Sequence, residues 1–424
     1  MNQIPVELHA LIIGILVSEG FKLSDYALTC SAILHLCRAH IFAQIAFEFS
    51  SKTYDDQHRH VQFLQILTKS PEVANMIRHI RLKITRSRFR GEEEALLKAL
   101  CLSVGSIEEL GLISFNLKWG DLLEMAELGL LIRTCLASCS LRSLNIGNFI
   151  QDFRMSDVRD CTQLSKLVLG LHRTLIFDDK DKNPSLICFP KNLRHLFIYH
   201  TKRRDDLVAY RLAPNPIPES QLFPLQSFHT STSSIELIGI ILSQVKGLEE
   251  LTLRWELSSE ERPFAQLGES LHLQLGSLRS VTFVFPYDTV RFGAIRNLAD
   301  LLASMSKSLN GNSVRKITII ICINRAFNVE LLSQACRQVD ATLSSSNNWP
   351  SLEKVSFETL LIAGRSDGER AAVNLQALRN RFPQLLGSGV LRFRYDQIDN
   401  KGFGTLPDNI HPLLKELFEV RYSA

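Results

Sequence analysis

No apolar run in this chain reaches the ~20 residues needed to cross a bilayer; the longest, Leu8 to Val17, is too short and is interrupted. Nor is a basic start followed by an apolar stretch and a small-residue cleavage site. Neither a membrane span nor a secretory leader is expected, and the chain is expected to be soluble and intracellular, cytoplasmic or nuclear. Cysteine is too sparse and scattered for a disulfide framework. There are nine in 424 residues, an odd number, most of them within apolar stretches as buried free thiols are. Charge of one sign is also scarce: the net value of +4 does not demand a polyanionic partner. The basic residues Arg78, Arg81, Lys83, Arg86, Arg88 and Arg90, and the cluster Lys202-Arg203-Arg204, lack the interleaved aromatics of a stacking platform. They read as solvated strand edge and loop, and no nucleic-acid partner is expected.

Catalytic signatures are missing as well. The sequence holds no Gly-x-x-x-x-Gly-Lys-Ser/Thr loop, no Gly-x-Ser-x-Gly elbow and no His-Glu-x-x-His pair. Asp179, Asp181 and Asn183 have the alternate spacing of a calcium loop. However, Pro184 stands where the turn needs glycine and Pro190 where the loop needs glutamate. Cys135 and Cys139 share a helical face without a second pair to complete a zinc site. No catalytic residue, metal or cofactor is expected. With 45% hydrophobic and 22% charged residues, the composition is that of an ordinary globular protein.

Two patterns are present. The first is at the N-terminus, where Ile4-Pro5-Val6-Glu7-Leu8 opens a helix. Proline's fixed φ suits a first turn, and its missing N–H would be unpaired there anyway. Leu8, Leu11, Ile12, Ile15 and Leu16 follow at helical spacing, Gly20 closes the helix, and Ser24-Asp25 is placed to cap a second apolar set from Leu23 to Cys37. Three short helices within about forty-five residues bury too little to stand alone and need a partner or a following domain. This segment, with Tyr26-Ala27-Leu28-Thr29-Cys30-Ser31 and the exit Ala39-His40-Ile41-Phe42, resembles an F-box. It departs from that family in having Ile4 for the leading leucine and no tryptophan near Ile33 and Leu34. The resemblance implies docking to the small Skp-type adaptor of a cullin–RING ubiquitin ligase, with Ile4, Pro5, Leu8, Ile12, Leu16, Leu28 and Cys30 among the residues facing it. The bland alternative is a helical hairpin capping the next domain.

The second pattern is a repeat. An aliphatic, two variable residues, an aliphatic, one variable residue and an aliphatic recur as Ile77–Leu82, Ile107–Leu112, Leu141–Ile146, Leu164–Leu169, Leu193–Ile198, a weaker copy at Leu225–Phe228, Leu248–Leu253, Leu278–Phe283, Val314–Ile319 and Leu352–Phe357. The spacing is roughly thirty residues, the range of leucine-rich repeats. The last two aliphatics of each hexad are expected on alternate positions of a short strand facing one core. Helical patterns fill the returns at 60–68, 92–103, 121–137, 235–245, 290–309, 329–343 and 369–382. The third position past each hexad, where typical repeats carry asparagine or cysteine, holds Cys322, Thr85, Thr201 and Ser233 but otherwise unrelated residues. With the closing segment Arg381–Phe393, the chain resembles the fungal F-box proteins with divergent leucine-rich repeats.

The expected fold is therefore α/β, a three-helix F-box over 1–49 followed over 50–424 by an irregular leucine-rich-repeat-like solenoid with a parallel sheet on its concave face. Loop insertions are expected near 178–190 and 201–224. Residues alternating with the inward aliphatics would line the concave face: Lys166; His195, Phe197 and Tyr199; Glu250, Thr252 and Arg254; then Lys316, Thr318, Lys354 and Glu358. Such a face suits a protein or peptide, and Phe197 and Tyr199 have the composition of a hot spot. The function expected is substrate recognition for the ligase, without catalysis. The alternative is a protein-binding repeat scaffold without a ubiquitin role.

Overall fold

A computed structural model describes residues 6–18, 21, 23, 31–50, 54–114, 117–147, 150–172, 175–176, 189–200, 222–231, 235–255, 264–285, 292–307, 311–323, 333–363 and 376–399. The chain divides into two compact units, residues 1–179 with 188–192, and residues 180–187 with 193–424.

The first unit opens with helices α1 (Val6–Ser18) and α2 (Ser31–Ile41). Strands β1 (Gln44–Phe49), β2 (His79–Ile84), β3 (Glu109–Ser114), β4 (Ser143–Ile146) and β6 (Lys166–His172) then form a parallel sheet in that order, while β5 (Phe153–Arg154) pairs with β7 (Leu175–Ile176) apart from it. The returns are α3 (Tyr54–Lys69), α4 (Gly91–Leu100), α5 (Trp119–Glu124) and α6 (Ala126–Ala137). The second unit repeats the scheme. Strands β8 (His195–His200), β9 (Ser227–Ser231), β10 (Glu250–Arg254), β11 (Ser280–Phe285), β12 (Lys316–Ile323), β13 (Lys354–Ala363) and β14 (Leu391–Asp399) are parallel and in chain order. Between them run α7 (Ile235–Gln244), α8 (Phe264–His272), α9 (Phe292–Met305), α10 (Ser333–Ser344) and α11 (Pro383–Gly387).

Each hexad feeds one strand, which starts at its third residue. In the full hexads from Ile77–Leu82 to Val314–Ile319, the first, fourth and sixth side chains are at most 1% exposed. Each such side chain contributes roughly 1.5–3 kcal/mol on burial, and a single repeat has nothing to bury them against except its neighbours. The strands are pinned at their starts by a forked backbone bond. The Arg78 carbonyl accepts from the N–H groups of Glu108 (2.7 Å) and Glu109 (3.0 Å), and the Glu108 carbonyl from Arg142 and Ser143 (2.8 and 2.9 Å). The second unit uses the same fork from Arg279 to Arg315 and Lys316, and from Arg315 to Glu353 and Lys354.

Side-chain pins between repeats stand mostly before the hexads rather than after them. The Ser106 hydroxyl donates to the Ile77 carbonyl and the Ser140 hydroxyl to that of Ile107, both at 2.8 Å. Further along, the Gln274 amide donates to the carbonyls of Leu242 and Val245. Of the post-hexad positions, Thr85 donates to the Phe49 carbonyl at 3.1 Å. A weak ladder after the strand is thus offset by one ahead of it.

Three sequence expectations need correction. Gln44–Phe49, within the span assigned to the helical domain, is strand β1; Phe42-x-x-Ile45-x-Phe47 is an aromatic version of the hexad, and Ile45 and Phe47 stand in register with Ile80 and Leu82. The helix expected over 121–137 breaks at Met125, whose extended ψ of 125° lets α5 and α6 cross. Helix α8, with Gly268 in its middle, was not expected. The insertion near 178–190 and that near 201–224 lie largely outside the described residues.

One cap joins consecutive helices. Asp340 on α10, 2% exposed, accepts from the backbone N–H groups of Gln384 (3.1 Å) and Leu385 (2.9 Å), the free donors of α11's first turn. Phe382 at the cap position supplies no such acceptor. Asp340→Ala is expected to cost about 2 kcal/mol in denaturant unfolding of this unit, because two donors lose a charged acceptor. Asp340→Asn, which keeps one oxygen, should recover part of that loss.

Candidate docking faces

The first face is α1. Ile13 turns inward and joins Leu23, Ile33 and Cys37 in a buried cluster, with Leu16, Leu34 and Leu36 packed against it. On the opposite side Leu8, Leu11, Ile12 and Ile15 are 49%, 61%, 37% and 53% exposed. Their spacing of i, i+3, i+4 and i+7 makes one continuous apolar stripe facing water. Of the residues expected to dock an adaptor, Leu8 and Ile12 lie on this stripe and Leu16 belongs to the inner packing. Ile4, Pro5, Leu28 and Cys30 lie outside the described residues, as does the Ser24-Asp25 cap. Leu11 and Ile15 complete the stripe, and their helical spacing was the signal for them. Helix α2 in turn packs against the 3-10 turn Pro71–Met76 that precedes β2.

The second face is the side of the sheet away from the buried aliphatics. In the first unit it carries Lys166, partly buried, two strands from Glu109. In the second unit the register aligns His195, Ser227, Glu250, Ser280, Lys316 and Lys354 in one row. Phe197, His229, Thr252, Thr282, Thr318 and Ser356 form the next row. His195 Nδ1 lies 2.8 Å from the Ser227 hydroxyl. The Phe197 ring stacks flat on His229, centroids 4.1 Å apart and planes within 1°, so one of its faces is already occupied. Tyr199 is in β8, with its side chain outside the described set. Glu250 and Lys316 are exposed, Arg254, Lys354 and Glu358 partly so, but Thr252 is only 5% and Thr318 1% exposed. Within the second unit His195, Phe197, Glu250, Thr252, Arg254, Lys316, Thr318, Lys354 and Glu358 alternate with the buried aliphatics, the small ones sunk between larger neighbours.

Among the described residues no cluster of His, Cys, Asp and Glu is arranged to hold a metal, and no helix is long and apolar enough to cross a membrane. Among the described residues a titratable cluster centres on Glu93 of α4, with Arg86 paired to its carboxylate and His60 Nδ1 3.7 Å away. The Arg90 N–H donates to the same carboxylate at 2.9 Å. Every oxygen is thus engaged in holding the loop before α4. A shallow depression of about 270 Å³ beside α3 is lined by Leu67, Thr68, Pro71, Ala74, Asn75, Ala99 and Leu102, with no titratable group. Burial pushes the thiols of Cys135 and Cys336 up to about 12 and that of Cys161 up to about 11, which keeps them protonated and inert at neutral pH.

No protein-family model matches the chain. No curated protein matches it either. Among solved structures it is similar to the leucine-rich repeat-containing protein LegL7 from Legionella pneumophila, at 14% sequence identity and a TM-score of 0.41, over 90% of this chain and 98% of that one.

Proposed function

We propose that this chain is a non-catalytic recognition subunit of a cullin–RING ubiquitin ligase. Its N-terminal helices dock a Skp-type adaptor, and through it a cullin, while the sheet face holds a target protein inside the cell. The observation that carries the reading is the stripe Leu8, Leu11, Ile12 and Ile15: a helix in a globular protein turns such residues inward, and this one leaves them in water next to the F-box-like motif. The ubiquitin chemistry belongs to other subunits, and this chain contributes proximity.

The test is co-purification of the adaptor with the full chain, comparing wild type with Leu8→Glu/Ile12→Glu. Both positions already face solvent, so the variant keeps its fold. Losing buried apolar anchors at ~2 kcal/mol or more each should reduce the recovered adaptor at least tenfold. Equal recovery would sink the ligase reading. The packing of α2 on Pro71–Met76 favours a second reading, in which the helices cap the first repeat of a scaffold with no ubiquitin role. That reading is what remains if wild type itself recovers no adaptor.

A further inference from the structure

Charged side chains along the strand starts and the open sheet face generally meet a partner of opposite sign across the strands. Glu48 and Lys83 are 3.3 Å apart, His79 and Glu109 3.4 Å, and Arg78 and Glu108 3.7 Å in the first unit. Arg315 and Glu353 are 3.5 Å apart in the second. One residue further on, the rule is broken. Lys316 stands directly opposite Lys354, one inter-strand step of ~4.8 Å away. Directly opposed like charges destabilise a sheet, and Ser227 and Ser280, which flank Glu250 in the same row, show that the fold does not require charge at every position there. Arg392 adds a third cation on β14, opposite Ser356. Among the described residues none of the three has a carboxylate at ion-pair distance. Of the acids on this face, Glu250 stands in the same row two strands from Lys316, and Glu358 stands opposite Arg394. Two residues beyond Lys316 on β12, opposite Ser356, lies Thr318, whose buried hydroxyl has no hydrogen-bond partner among the described residues.

From this arrangement we infer that the face of β12–β14 binds a carboxylate-rich, extended peptide segment of a protein partner, with Lys316, Lys354 and Arg392 as its counter-charges. It rests on the reading of the sheet face as the target-binding side. The three cations are spread over two inter-strand steps, ~10 Å, rather than converging on a point. That distribution fits a run of carboxylates, whose alternate side chains repeat every ~6.6 Å along an extended chain, better than a single focal anion. Nucleic acid fits less well because the strip offers no stacking ring: Phe393 lies with Phe357 and Phe382 on the core side.

The experiment is fluorescence anisotropy of a labelled oligoglutamate peptide with the full chain, against the matching oligoglutamine. The oligoglutamate should bind and the oligoglutamine should not, with affinity falling steeply as salt rises. Lys316→Glu/Lys354→Glu should weaken oligoglutamate binding by about tenfold or more. Lys316→Gln/Lys354→Gln, which relieves the repulsion, should weaken binding while leaving the thermal midpoint equal to or above that of wild type. Equal binding of the two peptides, unchanged binding by the charge-reversed variant, or tighter binding of an oligouridylate than of oligoglutamate would each overturn the inference. None of these outcomes touches adaptor recovery through α1, so the two proposals fail separately.

Discussion

Glu93→Ala is expected to remove about 3 kcal/mol from the stability of the first unit, a substantial fraction of the ~5–15 kcal/mol that keeps an ordinary domain folded. The carboxylate is 4% exposed and is the one acid serving Arg86, His60 and the Arg90 N–H. Without it, Arg86, 18% exposed, is left as a largely buried cation with no counter-charge. The backbone N–H of Arg90, at the cap position of α4, also loses its acceptor. Glu93→Gln keeps an acceptor for the Arg90 N–H and should recover part of the loss, which separates the cap from the charge. Denaturant midpoints and amide exchange over β1, β2 and β3 measure the effect. A change below about 1 kcal/mol would show that the cluster is a surface ion pair in its energetics despite its burial.

The second large effect is expected from Gly129→Ala on α6. In a helix interior this change ordinarily stabilises by roughly 0.5–1 kcal/mol. Here a Cβ at Gly129 would overlap the Leu123 carbonyl oxygen and sit 2.7 Å from its carbon. That carbonyl cannot swing away freely, because it ends α5 and accepts a hydrogen bond from Arg133 at 2.6 Å. Backbone must therefore move, and the sign reverses to a loss of about 3 kcal/mol, the upper end for overpacking. Gly105, around which a Cβ meets nothing within 4 Å, is the control; Gly105→Ala should change the thermal midpoint little. If the two variants melt together, α5 and α6 are not locked at this crossing.

The contrast between those two glycines shows where the sequence was legible and where it was not. The hexads could be read because two aliphatics on alternate positions have only one side of a strand to share, and the core confirms each of them. The strand at Gln44–Phe49 escaped because its copy uses Phe42 and Phe47 and follows directly on a helix. The break at Met125 had no proline or glycine at that position to mark it, and the close approach of Gly129 to Leu123 that accompanies it is one that no periodicity encodes. Glu93 was invisible for a related reason, since amphipathic patterns assign every acid to water, although its place three residues after Arg90 hinted at a cap. For the candidate faces, alternation correctly placed Thr252 and Thr318 on the open side of the sheet. It gave no measure of depth, which depends on the bulk of neighbours one strand away. On α1 the spacing found the stripe, while only packing revealed that Ile13, not Leu8 or Ile12, is the residue turned inward.

The forked bonds at the strand starts also bear on how such a chain changes length. Because the carbonyl of one hexad holds two N–H groups of the next, the strand spacing is set where each strand begins, before the return segment is reached. A return can then gain or lose residues without shifting the pairing of the strands it connects, and the hexads in this chain are in fact separated by unequal returns. Deletions that shorten a return but leave enough chain to cross back between parallel strands are tolerable in register, whereas a single residue inserted inside a hexad would turn its aliphatics to water. Growth by uneven segments is thus built into the backbone, and new surface loops can be acquired at little cost to the sheet.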